Sequence, residues 1–592
     1  MPKNAEQRSF KDFLSHIDNQ DDDTNGHDEN GHLSELSEFI SDEHPIVYFS
    51  MEMYDQSNDI KGGGGLGVLA ADTRRVAEQL NAPFVIVTLF YPRESHQTLR
   101  YFWQHEIHTS ADPLRLYKEL GCVSIRSMYD DDAELTILER KLGSTRIIAV
   151  TEPNLGELYQ GGNSDDHRLY QEVALGFGGY QALKQQGIEA AFMQLNESPT
   201  VFAAIAKLDD LCQQGLPLKE AIEQTRSSLL YTNHTLVAAA ESKFHRDQFR
   251  RRVMPNIESE SVRDWLDSMF DADGLLPLSL LAIELSGAKS GVSKLHARVS
   301  NFSDKDGNHV DFQAVTNGIS RKWIADGVSD YYHDLGILDE FDLPSDDYVD
   351  KLQRLEINAI RELKSQGRQE LNRVLETRLD QTGQPIQIPD DALIFDFKRR
   401  FVSYKRAGMV FSDPDRLAGI LEEENAHFIL TGKPHASDYP MKEELHRILT
   451  LVDEHPVLRS RVHYIQDYDE EVGRALSIGA DCAINIPEVG REACGTSWMK
   501  DIANFKLLIS TPDGGVADLD PIACLEVSGD EEYELYKRMV EAAEILRNDD
   551  RYLAETIREI SGYLPIISGS RMVKEYLGLI SRMRSNRLVS TS

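Results

Sequence analysis

From residue 45 onward, short apolar runs alternate along the chain with longer amphipathic stretches. The runs are rich in β-branched and aromatic residues, whereas the stretches between them repeat apolar positions at helical spacing. Apolar strands that alternate with helices are typical of parallel βαβ units, so the pattern predicts an α/β protein. The strands predicted in the first half are PIVYFS, PFVIVTLF, TRIIAVTEP, AFMQLNE and LLYTNHT, with a helix from Leu66 to Leu80.

The same alternation returns after residue 390 and predicts a second α/β lobe, with strands in DALIFDFK, AHFILTGK, RVHYIQD and DCAINIP. Charged helical sequence separates the two series, and we place the junction near Asn317 to Ile324. Two doubly wound lobes would bind ligands in the crevice that faces the carboxyl ends of their strands. The predicted domains are an acidic disordered tail (1–40), a first lobe (41–318) and a second lobe (319–592).

The tail is predicted to be mobile because its segment DNQDDDTNGHDENGH is almost purely acidic and polar. Such a segment buries too little apolar surface to offset the entropy lost on ordering. It matches the first half of an EF-hand loop, but His32 stands where a bidentate Glu is needed. A solvated linker is therefore favoured over a calcium site, and we predict no metal.

The composition excludes several classes of protein. With 63 basic and 99 acidic residues the formal net charge is −36, which argues against a general nucleic-acid binder. The five cysteines form no CxxC pair and no zinc spacing, which favours a reduced, cytoplasmic compartment. The first residues lack the apolar core of a signal peptide, and no run of 18 apolar residues is present, so neither export nor membrane insertion is predicted.

The glycine-rich run from Lys61 to Gly67 follows a predicted strand and opens the predicted helix. Its exposed backbone N–H groups and the helix dipole are suited to an anionic or oxygen-rich ligand. The run satisfies GxGxxG literally, but PFVIVTLFY ends in aromatic residues where a dinucleotide site needs an acidic one. The alternative is a flexible turn.

A basic cluster follows the predicted strand DALIFDF, with five cations within nine residues. At the end of a strand it would form a focused phosphate pocket, in which arginine supplies bidentate geometry. The alternative is a solvated helix face that offsets neighbouring carboxylates. The members of this cluster are Lys398, Arg399, Arg400, Lys405 and Arg406.

The segment EACGTSWMK would form a tight turn at Gly495 and Thr496 and place Lys500 about one turn into a helix. A desolvated lysine there can form a Schiff base, although a surface lysine is the alternative. His234, Asn196 and Glu197 follow predicted strands, where polar groups gather in α/β sites but also serve packing. The chain has no GxSxG, HExxH or Walker A motif.

Taken together and in this order, the motifs resemble those of the α-glucan phosphorylases, which act on glycogen, starch or maltodextrin, and in particular their shorter microbial branch. The resemblance covers residues 45 to about 580. It rests on VYFSMEMY, GGLGVLAAD, LLYTNHT, SGVSKLHARVS, VTNGISRKWI, RRFVSYKRA, FILTGKPH, QDYDEEVGRAL, EACGTSWMK and TPDGG.

The resemblance implies a GT-B-type α/β fold, in which two Rossmann-like lobes face a central cleft and the C-terminal helix packs back toward the first lobe. It also implies pyridoxal 5′-phosphate (PLP), held as a Schiff base on Lys500. The cofactor-binding residues that it implies are Lys500, Arg399, Tyr54, Trp323, Gly495 and Thr496.

The implied activity is retaining phosphorolysis of terminal α-1,4 glucosidic bonds, with the PLP phosphate as general acid and base. The implied partners are an α-1,4-glucan (glycogen or maltodextrin), inorganic phosphate or glucose 1-phosphate, and a second copy of the chain in a homodimer. The catalytic residues would be Lys500, Arg400, Lys405 and His234, and the substrate-binding residues Gly64, Gly65, Leu66, Asn317, Glu492, Asn196 and Glu197.

Two positions depart from the family pattern. Pro199 stands where the family has a histidine, which would alter the acceptor side of the cleft, and Trp498 would add bulk close to the cofactor. One alternative is a GT-B glucosyltransferase that uses a nucleotide sugar, as glycogen synthases do, but such an enzyme has no need for the lysine of EACGTSWMK. The other is a catalytically degenerate glucan-binding protein.

Overall fold

The computed structural model describes residues 8–22, 33–58, 64–127, 132–158, 165–235 and 241–591. Lys61 to Gly63 of the glycine-rich run and most of the EF-hand-like segment lie outside these residues. Each strand predicted from the sequence is confirmed, and the helix predicted from Leu66 to Leu80 spans Gly65–Gln79. The two lobes predicted from the alternation are both α/β.

The first lobe is built on a large mixed sheet. The strands of this lobe are β1 (Ile46–Ser50), β2 (Phe84–Leu89), β3 (Arg93–Arg100), β4 (Trp103–Ser110), β5 (Lys118–Ile125), β6 (Ala133–Leu142), β7 (Thr145–Thr151), β8 (Phe192–Asn196), β9 (Leu229–Asn233), β10 (Lys243–His245), β11 (Leu275–Pro277), β12 (Ala288–Gly291) and β13 (Gln313–Ala314). Of these described strands, β3 pairs only with β4 and β10 only with β11, and the other strands form the large sheet.

The second lobe has an entirely parallel sheet. Its strands are β14 (Leu393–Lys398), β15 (Ala426–Thr431), β16 (Val462–Ile465), β17 (Cys482–Asn485), β18 (Leu507–Ser510) and β19 (Leu525–Glu526).

Helices cover both faces of the sheets and connect the parallel strands. They are α1 (Phe10–Asp22), α2 (Gly65–Gln79), α3 (Asp166–Val173), α4 (Gly179–Gln185), α5 (Phe202–Gln213), α6 (Leu218–Arg226), α7 (Arg246–Arg252), α8 (Glu260–Asp267), α9 (Leu278–Leu285), α10 (Lys294–Val299), α11 (Asp326–Asp334), α12 (Tyr348–Leu352), α13 (Ile357–Leu375), α14 (Pro414–Glu423), α15 (Tyr439–Glu454), α16 (Pro456–Arg461), α17 (Glu470–Gly479), α18 (Ser497–Ile502), α19 (Glu531–Arg547), α20 (Asp549–Ile567) and α21 (Gly569–Thr591). None of the described helices is both long and apolar enough to cross a membrane.

The order of the strands determines where each lobe can bind a ligand. The first sheet runs β13-β12-β9-β8-β1-β2-β7-β6-β5, so the chain leaves β1 in both directions and the order reverses between β1 and β8. The second runs β16-β15-β14-β17-β18-β19 and reverses between β14 and β17. Ligands of α/β sheets bind beyond the carboxyl ends of the strands at such reversals.

A hairpin of the first lobe, β3 and β4, reaches the rim of the second lobe. Gln97 Nε2 donates to the Tyr464 hydroxyl over 2.7 Å, and Gln104 Nε2 donates to the Pro434 carbonyl over 2.9 Å. Both acceptors lie at or beyond the carboxyl ends of β16 and β15, away from the reversal at β14 and β17. The sequence pattern missed this hairpin because its strands are mostly polar and partly exposed.

The prediction of a disordered tail over residues 1–40 is wrong for Phe10–Asp22, which forms α1, and for Leu33–Glu38, which forms a 3-10 helix. Phe13 is fully buried and packs edge-on against Phe341 with ring centroids 5.4 Å apart. Apolar residues at helical spacing, Phe10, Phe13, Leu14 and Ile17, outweigh the acidic composition of the segment.

The C-terminal helix α21 lies against the first lobe. Leu577 and Ile580 of α21 join the hydrophobic cluster that contains Phe13 of α1 and Tyr48 of β1. Both ends of the described chain therefore pack on the same region of the first lobe.

We expect Phe13→Ala to undock α1. Truncating a fully buried phenylalanine costs about 3 kcal/mol or more, which corresponds to roughly a 100-fold faster exchange of the amides of α1, at about 1.4 kcal/mol per factor of ten. Hydrogen exchange measured by mass spectrometry tests this. Lys11→Ala, at an exposed position of the same helix, is the control and should exchange like the wild type. A mobile segment would show fast exchange in all three proteins.

Candidate functional site

The two lobes meet around Lys500, which α18 presents beyond the end of β17. The amine is buried, with Nζ 3.2 Å from the ring centre of Trp323. Burial lowers the pKa of Lys500 to about 7; Asp72 and Glu470 oppose this shift, and Lys398 and Arg75 add to it. At neutral pH much of the amine is therefore uncharged and can act as a nucleophile.

Asn504 fixes the relative position of Lys500 and Trp323. Its buried Nδ2 donates to the carbonyl of Lys500 over 2.7 Å and to the carbonyl of Trp323 over 2.8 Å. Trp323 belongs to a 3-10 helix, Arg321–Trp323, in the segment that joins the lobes. The Asn504 side chain therefore links the segment that joins the lobes to α18, the helix that carries Lys500.

Tyr54 lies on the first-lobe side of the same region, just after β1. The backbone N–H of Glu470, at the start of α17, donates to the Tyr54 hydroxyl over 3.4 Å. Burial raises the pKa of Tyr54 well above its usual value, so the hydroxyl stays protonated. The structure therefore places Tyr54 at the contact between the lobes.

Arg399 is a buried guanidinium with unused donors. Its Nε and Nη1 have no hydrogen-bond partner among the described residues. Burial lowers the pKa of Arg399, and Asp501 and Asp396 oppose the shift. The backbone at Gly432, with φ +113°, packs directly against the Arg399 carbonyl. A Cβ at position 432 would clash with that carbonyl oxygen. Buried donors are rarely left unpaired, so this guanidinium is prepared for an anion.

Lys405 and Glu492 form an ion pair in which the lysine is buried and the carboxylate is partly exposed. Burial lowers the pKa of Lys405 well below its usual value, with Arg399 and Arg400 adding to the shift. Gly495 lies against Glu492, since a Cβ there would be 3.4 Å from the carboxyl carbon. The EACGT turn and the end of the basic cluster are therefore in contact.

The prediction that all five bases from Lys398 to Arg406 form one phosphate pocket is wrong. Lys398 turns into the interior and pairs with Asp501, and burial lowers its pKa to about 8. Arg406 pairs with Glu531 and donates to the carbonyls of Ile486 and Pro487, over 2.8 and 3.0 Å. Lys398 is the last residue of β14, whereas Arg406 follows a 3-10 helix, Ser403–Lys405, with a left-handed backbone at φ +56°, so sequence proximity did not give a common pocket.

Gly64 and Gly65, which we call the glycine turn, bring the amino end of α2 toward the second lobe. The N–H of Gly64 donates to the buried Glu52 carboxylate. A Cβ built on Gly65 would lie 4.0 Å from Arg400 Nε, which places Arg400 beside the start of α2, where Leu66 is the second residue. The structure thus brings together the glycine turn and one of the predicted phosphate ligands.

His234, Asn196 and Glu197 form one hydrogen-bonded group at the carboxyl ends of β8 and β9. His234 Nε2 lies 2.6 Å from Asn196 Oδ1, and the His234 N–H donates to Glu197 Oε2 over 2.7 Å. Burial, with nearby His296, lowers the pKa of His234 to about 3, so the ring is neutral. Glu197 adopts φ +79°, a strained conformation that its bonds to Ser198 and His234 hold.

Asn317, at the end of the first lobe, contacts the EACGT turn. Its Nδ2 donates to the Cys494 carbonyl over 3.2 Å, while its buried Oδ1 has no partner in the described part of the chain. Thr496 precedes α18 as its N-cap residue but makes no capping bond through its side chain. Both residues keep hydrogen-bonding capacity next to Lys500's helix.

Trp498 does not add bulk on the side expected from the sequence. It is buried in the second-lobe core, edge-on to Tyr563 of α20 with ring centroids 5.0 Å apart, and it borders Gly515. Residues two apart on a helix point in different directions, so Trp498 and Lys500 of α18 contact different side chains, Tyr563 and Trp323 respectively.

Sequence reasoning did not single out Asp72, Glu470, Asp501 or Asn504. All four are buried and are partners of the site residues named above. A usable signal exists for Asp72, because it follows Leu-Ala-Ala in a helix whose neighbouring positions are apolar. A buried charge at such a position needs a partner.

The profile of a family described as carbohydrate phosphorylase matches residues 181–562. The chain is 27% identical to a maltodextrin phosphorylase of Thermococcus litoralis and to a glycogen phosphorylase of Mycobacterium tuberculosis, in each case over 90% of this chain and 70% of the relative. It is 28% identical to a glycogen phosphorylase of Aquifex aeolicus, over 79% of this chain and 74% of the relative.

Gly67 in the first turn of α2 gives a test of the packing at this site. A Cβ there would lie 3.0 Å from Glu52 Oε2 and 3.2 Å from the Tyr54 nitrogen. We expect Gly67→Ala to lower the melting temperature, because overpacking costs about 1–3 kcal/mol. Gly419→Ala in α14, with open space around it, is the control and should raise the melting temperature through helix propensity. A gain in both variants would contradict the described packing.

Proposed function

Because the chain belongs to the carbohydrate phosphorylase family, we propose that it is an α-1,4-glucan phosphorylase that uses inorganic phosphate to release α-glucose 1-phosphate with retained configuration. Enzymes of this family are glycosyltransferases with a GT-B-type fold, and they generally depend on PLP. The relatives are named for glycogen and for maltodextrin, and we propose an α-1,4-glucan of this kind as the substrate.

The observation that carries the proposal is a buried amine, Lys500, together with Arg399, a buried cation that interacts with the adjacent Asp501 and has donors without a partner among the described residues. PLP carries an aldehyde and a phosphate, and these are the two groups that Lys500 and Arg399 suit. Tyr54 and Trp323 would flank the ring, and the turn at Gly495 and Thr496 would assist at the phosphate. When bound, PLP supplies a phosphate group that donates and accepts a proton beside the substrate phosphate.

Arg400, Lys405 and the amide groups of Gly64, Gly65 and Leu66 would hold the substrate phosphate. In the structure two of these groups already contact acidic side chains. Glu52 accepts a hydrogen bond from the Gly64 N–H, and Glu492 pairs with Lys405. A phosphate dianion would displace Glu492 from Lys405. The released carboxylate could then accept hydrogen bonds from the 3- and 4-hydroxyls of the glucose unit, so phosphate and sugar binding would support each other.

His234 and Asn317 would bind the 6-hydroxyl of the same glucose. With a pKa of about 3 the His234 ring is neutral at physiological pH, so it orients a hydroxyl and does not act as the proton donor. Asn196 and Glu197 would hold the histidine in place. As the glycosidic bond breaks, positive charge on the sugar would be stabilised by the His234 carbonyl and by the phosphate.

A glucosyltransferase that uses a nucleotide sugar is not favoured. Such an enzyme needs neither a buried lysine with a lowered pKa nor a buried arginine whose donors have no partner among the described residues. The homodimer and the cytoplasmic location stay predictions of the resemblance and of the cysteine content.

The direct test combines cofactor trapping with an activity assay. Purified protein is incubated with PLP, reduced with borohydride and mapped by mass spectrometry, and maltodextrin phosphorolysis is followed through glucose 1-phosphate. We expect a pyridoxyl adduct on Lys500 together with turnover. An unmodified Lys500 refutes the cofactor assignment, and an adduct without turnover indicates the degenerate glucan-binding protein.

We expect Arg400→Ala to raise the phosphate concentration needed for half-maximal phosphorolysis by at least tenfold, because a charge-assisted hydrogen bond contributes about 1.5–3 kcal/mol. The maltodextrin requirement should change much less. The control is Arg459→Ala. Arg459 lies on α16, which leads into the amino end of the edge strand β16. Unchanged phosphate saturation in Arg400→Ala would contradict the assigned role.

Arg399→Met should separate stability from cofactor affinity. Without PLP we expect the melting temperature to stay the same or rise, because replacing a buried unpaired charge by an apolar residue of similar size is often neutral or stabilising. The affinity for PLP should fall at least tenfold. Lys398→Met is the matched variant, and it should lower the melting temperature because it removes a partner of Asp501. The reverse order of stabilities would contradict the assignment.

A further inference from the structure

Asp72 lies at the centre of the contact between the lobes. It is fully buried on α2, the helix that begins at the glycine turn. Its carboxylate accepts hydrogen bonds from Trp323 Nε1, at 2.8 Å to Oδ1 and 2.9 Å to Oδ2, and from the Ser320 hydroxyl at 2.6 Å. Asp72 is therefore hydrogen-bonded to two side chains, Ser320 and Trp323, of the segment that joins the two lobes.

The indole of Trp323 lies between this carboxylate and Lys500. Its N–H points to Asp72, and its ring face contacts the Lys500 amine, with Nζ 3.2 Å from the ring centre. A cation is attracted to the negative face of an indole, and a carboxylate that accepts from the indole N–H polarises the ring in the direction that strengthens this attraction. The carboxylate, the ring and the amine therefore form one chain of contacts.

We propose that Asp72 is a positioning residue, which aligns Trp323 and through it orients the Lys500 amine toward the cofactor aldehyde. The proposal rests on the proposed function in one respect, namely that Lys500 receives PLP. Asp72 touches neither substrate nor cofactor in this scheme; it positions the amine through the indole, and its negative charge also raises the pKa of Lys500.

The alternative is that Asp72 merely balances charge in the interlobe contact. That contact contains three buried carboxylates and three cations: Asp55, Asp72 and Glu470 with Arg74, Arg75 and Lys322. Asp72 belongs to this network through Arg75, at 3.2 Å. A purely electrostatic role would depend on the charge of Asp72, whereas a positioning role depends on its ability to accept a hydrogen bond.

A second consequence concerns the glycine turn. Gly64 and Gly65 stand at the amino end of α2, and Asp72 is on the same helix. A rigid helix that holds Trp323 at one point and the proposed phosphate-binding amides at another fixes the distance between the cofactor lysine and the substrate phosphate. Asp72 would therefore link the geometry of both lobes at the site.

The test compares Asp72→Asn with Asp72→Leu. The apparent Kd for PLP is measured in each variant by borohydride trapping and mass spectrometry at Lys500. The asparagine carbonyl can still accept from the indole N–H, so we expect its Kd to stay within about threefold of the wild type. Leucine cannot accept this bond, and we expect its Kd to rise about tenfold or more.

Two further variants separate positioning from stability. Asp55→Asn is the matched control, since it removes a fully buried carboxylate of the same network that Arg74 and Arg75 hold. It should lower the melting temperature but leave the Kd for PLP unchanged. Trp323→Phe should weaken PLP binding as Asp72→Leu does, and adding Asp72→Leu to it should weaken binding no further.

Equal Kd values for Asp72→Asn and Asp72→Leu would overturn the proposal in favour of charge balance, and a wild-type Kd in Asp72→Leu would overturn it outright. If wild-type protein takes up no PLP, the cofactor assignment fails, and reductive methylation of Lys500 by formaldehyde and cyanoborohydride, measured without cofactor, judges the inference. The groups that act on this amine are Asp72 and Arg75 from α2, Glu470 from α17 and Lys398 from β14.

In that experiment the pH midpoint of methylation reports the pKa of Lys500. Because Asp72 raises this pKa, its loss in Asp72→Leu should shift the midpoint to lower pH, while Asp55→Asn should leave the midpoint in place. Equal midpoints in Asp72→Leu and the wild type would show that Asp72 does not act on the lysine, and the inference would be wrong.

Discussion

The cost of burying charge governs the region where the two lobes meet. Carboxylates and cations there are almost all paired, as in the contacts of Asp55, Asp72 and Glu470 with their basic partners. Among the described residues of this region, Arg399 has two donors without a partner, and the Lys500 amine faces an aromatic ring. Since a protein interior seldom leaves such groups unsatisfied, these two residues mark the candidate functional site.

The same requirement ties the lobes into one arrangement. Trp323 belongs to the segment between the lobes, yet its indole bonds to α2 of the first lobe and its carbonyl bonds to Asn504 of the second. The hairpin formed by β3 and β4 adds contacts at the far rim, and α21 returns to the first lobe. Opening the cleft would break buried polar contacts, so the geometry of the site depends on the lobe interface as much as on local sequence.

Most of the fold could be predicted from the sequence because strands buried on both faces read as continuous apolar runs. The parallel cores of both sheets and the start of α2 followed from this signal. The hairpin and the antiparallel β5 and β6 were missed because their strands are partly exposed and mostly polar in pattern. Helix α1 was missed because an acidic composition hid four apolar residues at helical spacing.

The candidate site divides in the same way. Motif order in the sequence by itself determined the family resemblance, and that resemblance gave Lys500, Trp323, Arg399 and Arg400 as candidate site residues. Only the tertiary structure decided that Lys398 turns into the core and that Asp72 holds Trp323. These arrangements depend on which partner each buried charge contacts in the folded chain. Partners that lie far apart in the sequence leave no local pattern by which to recognise them.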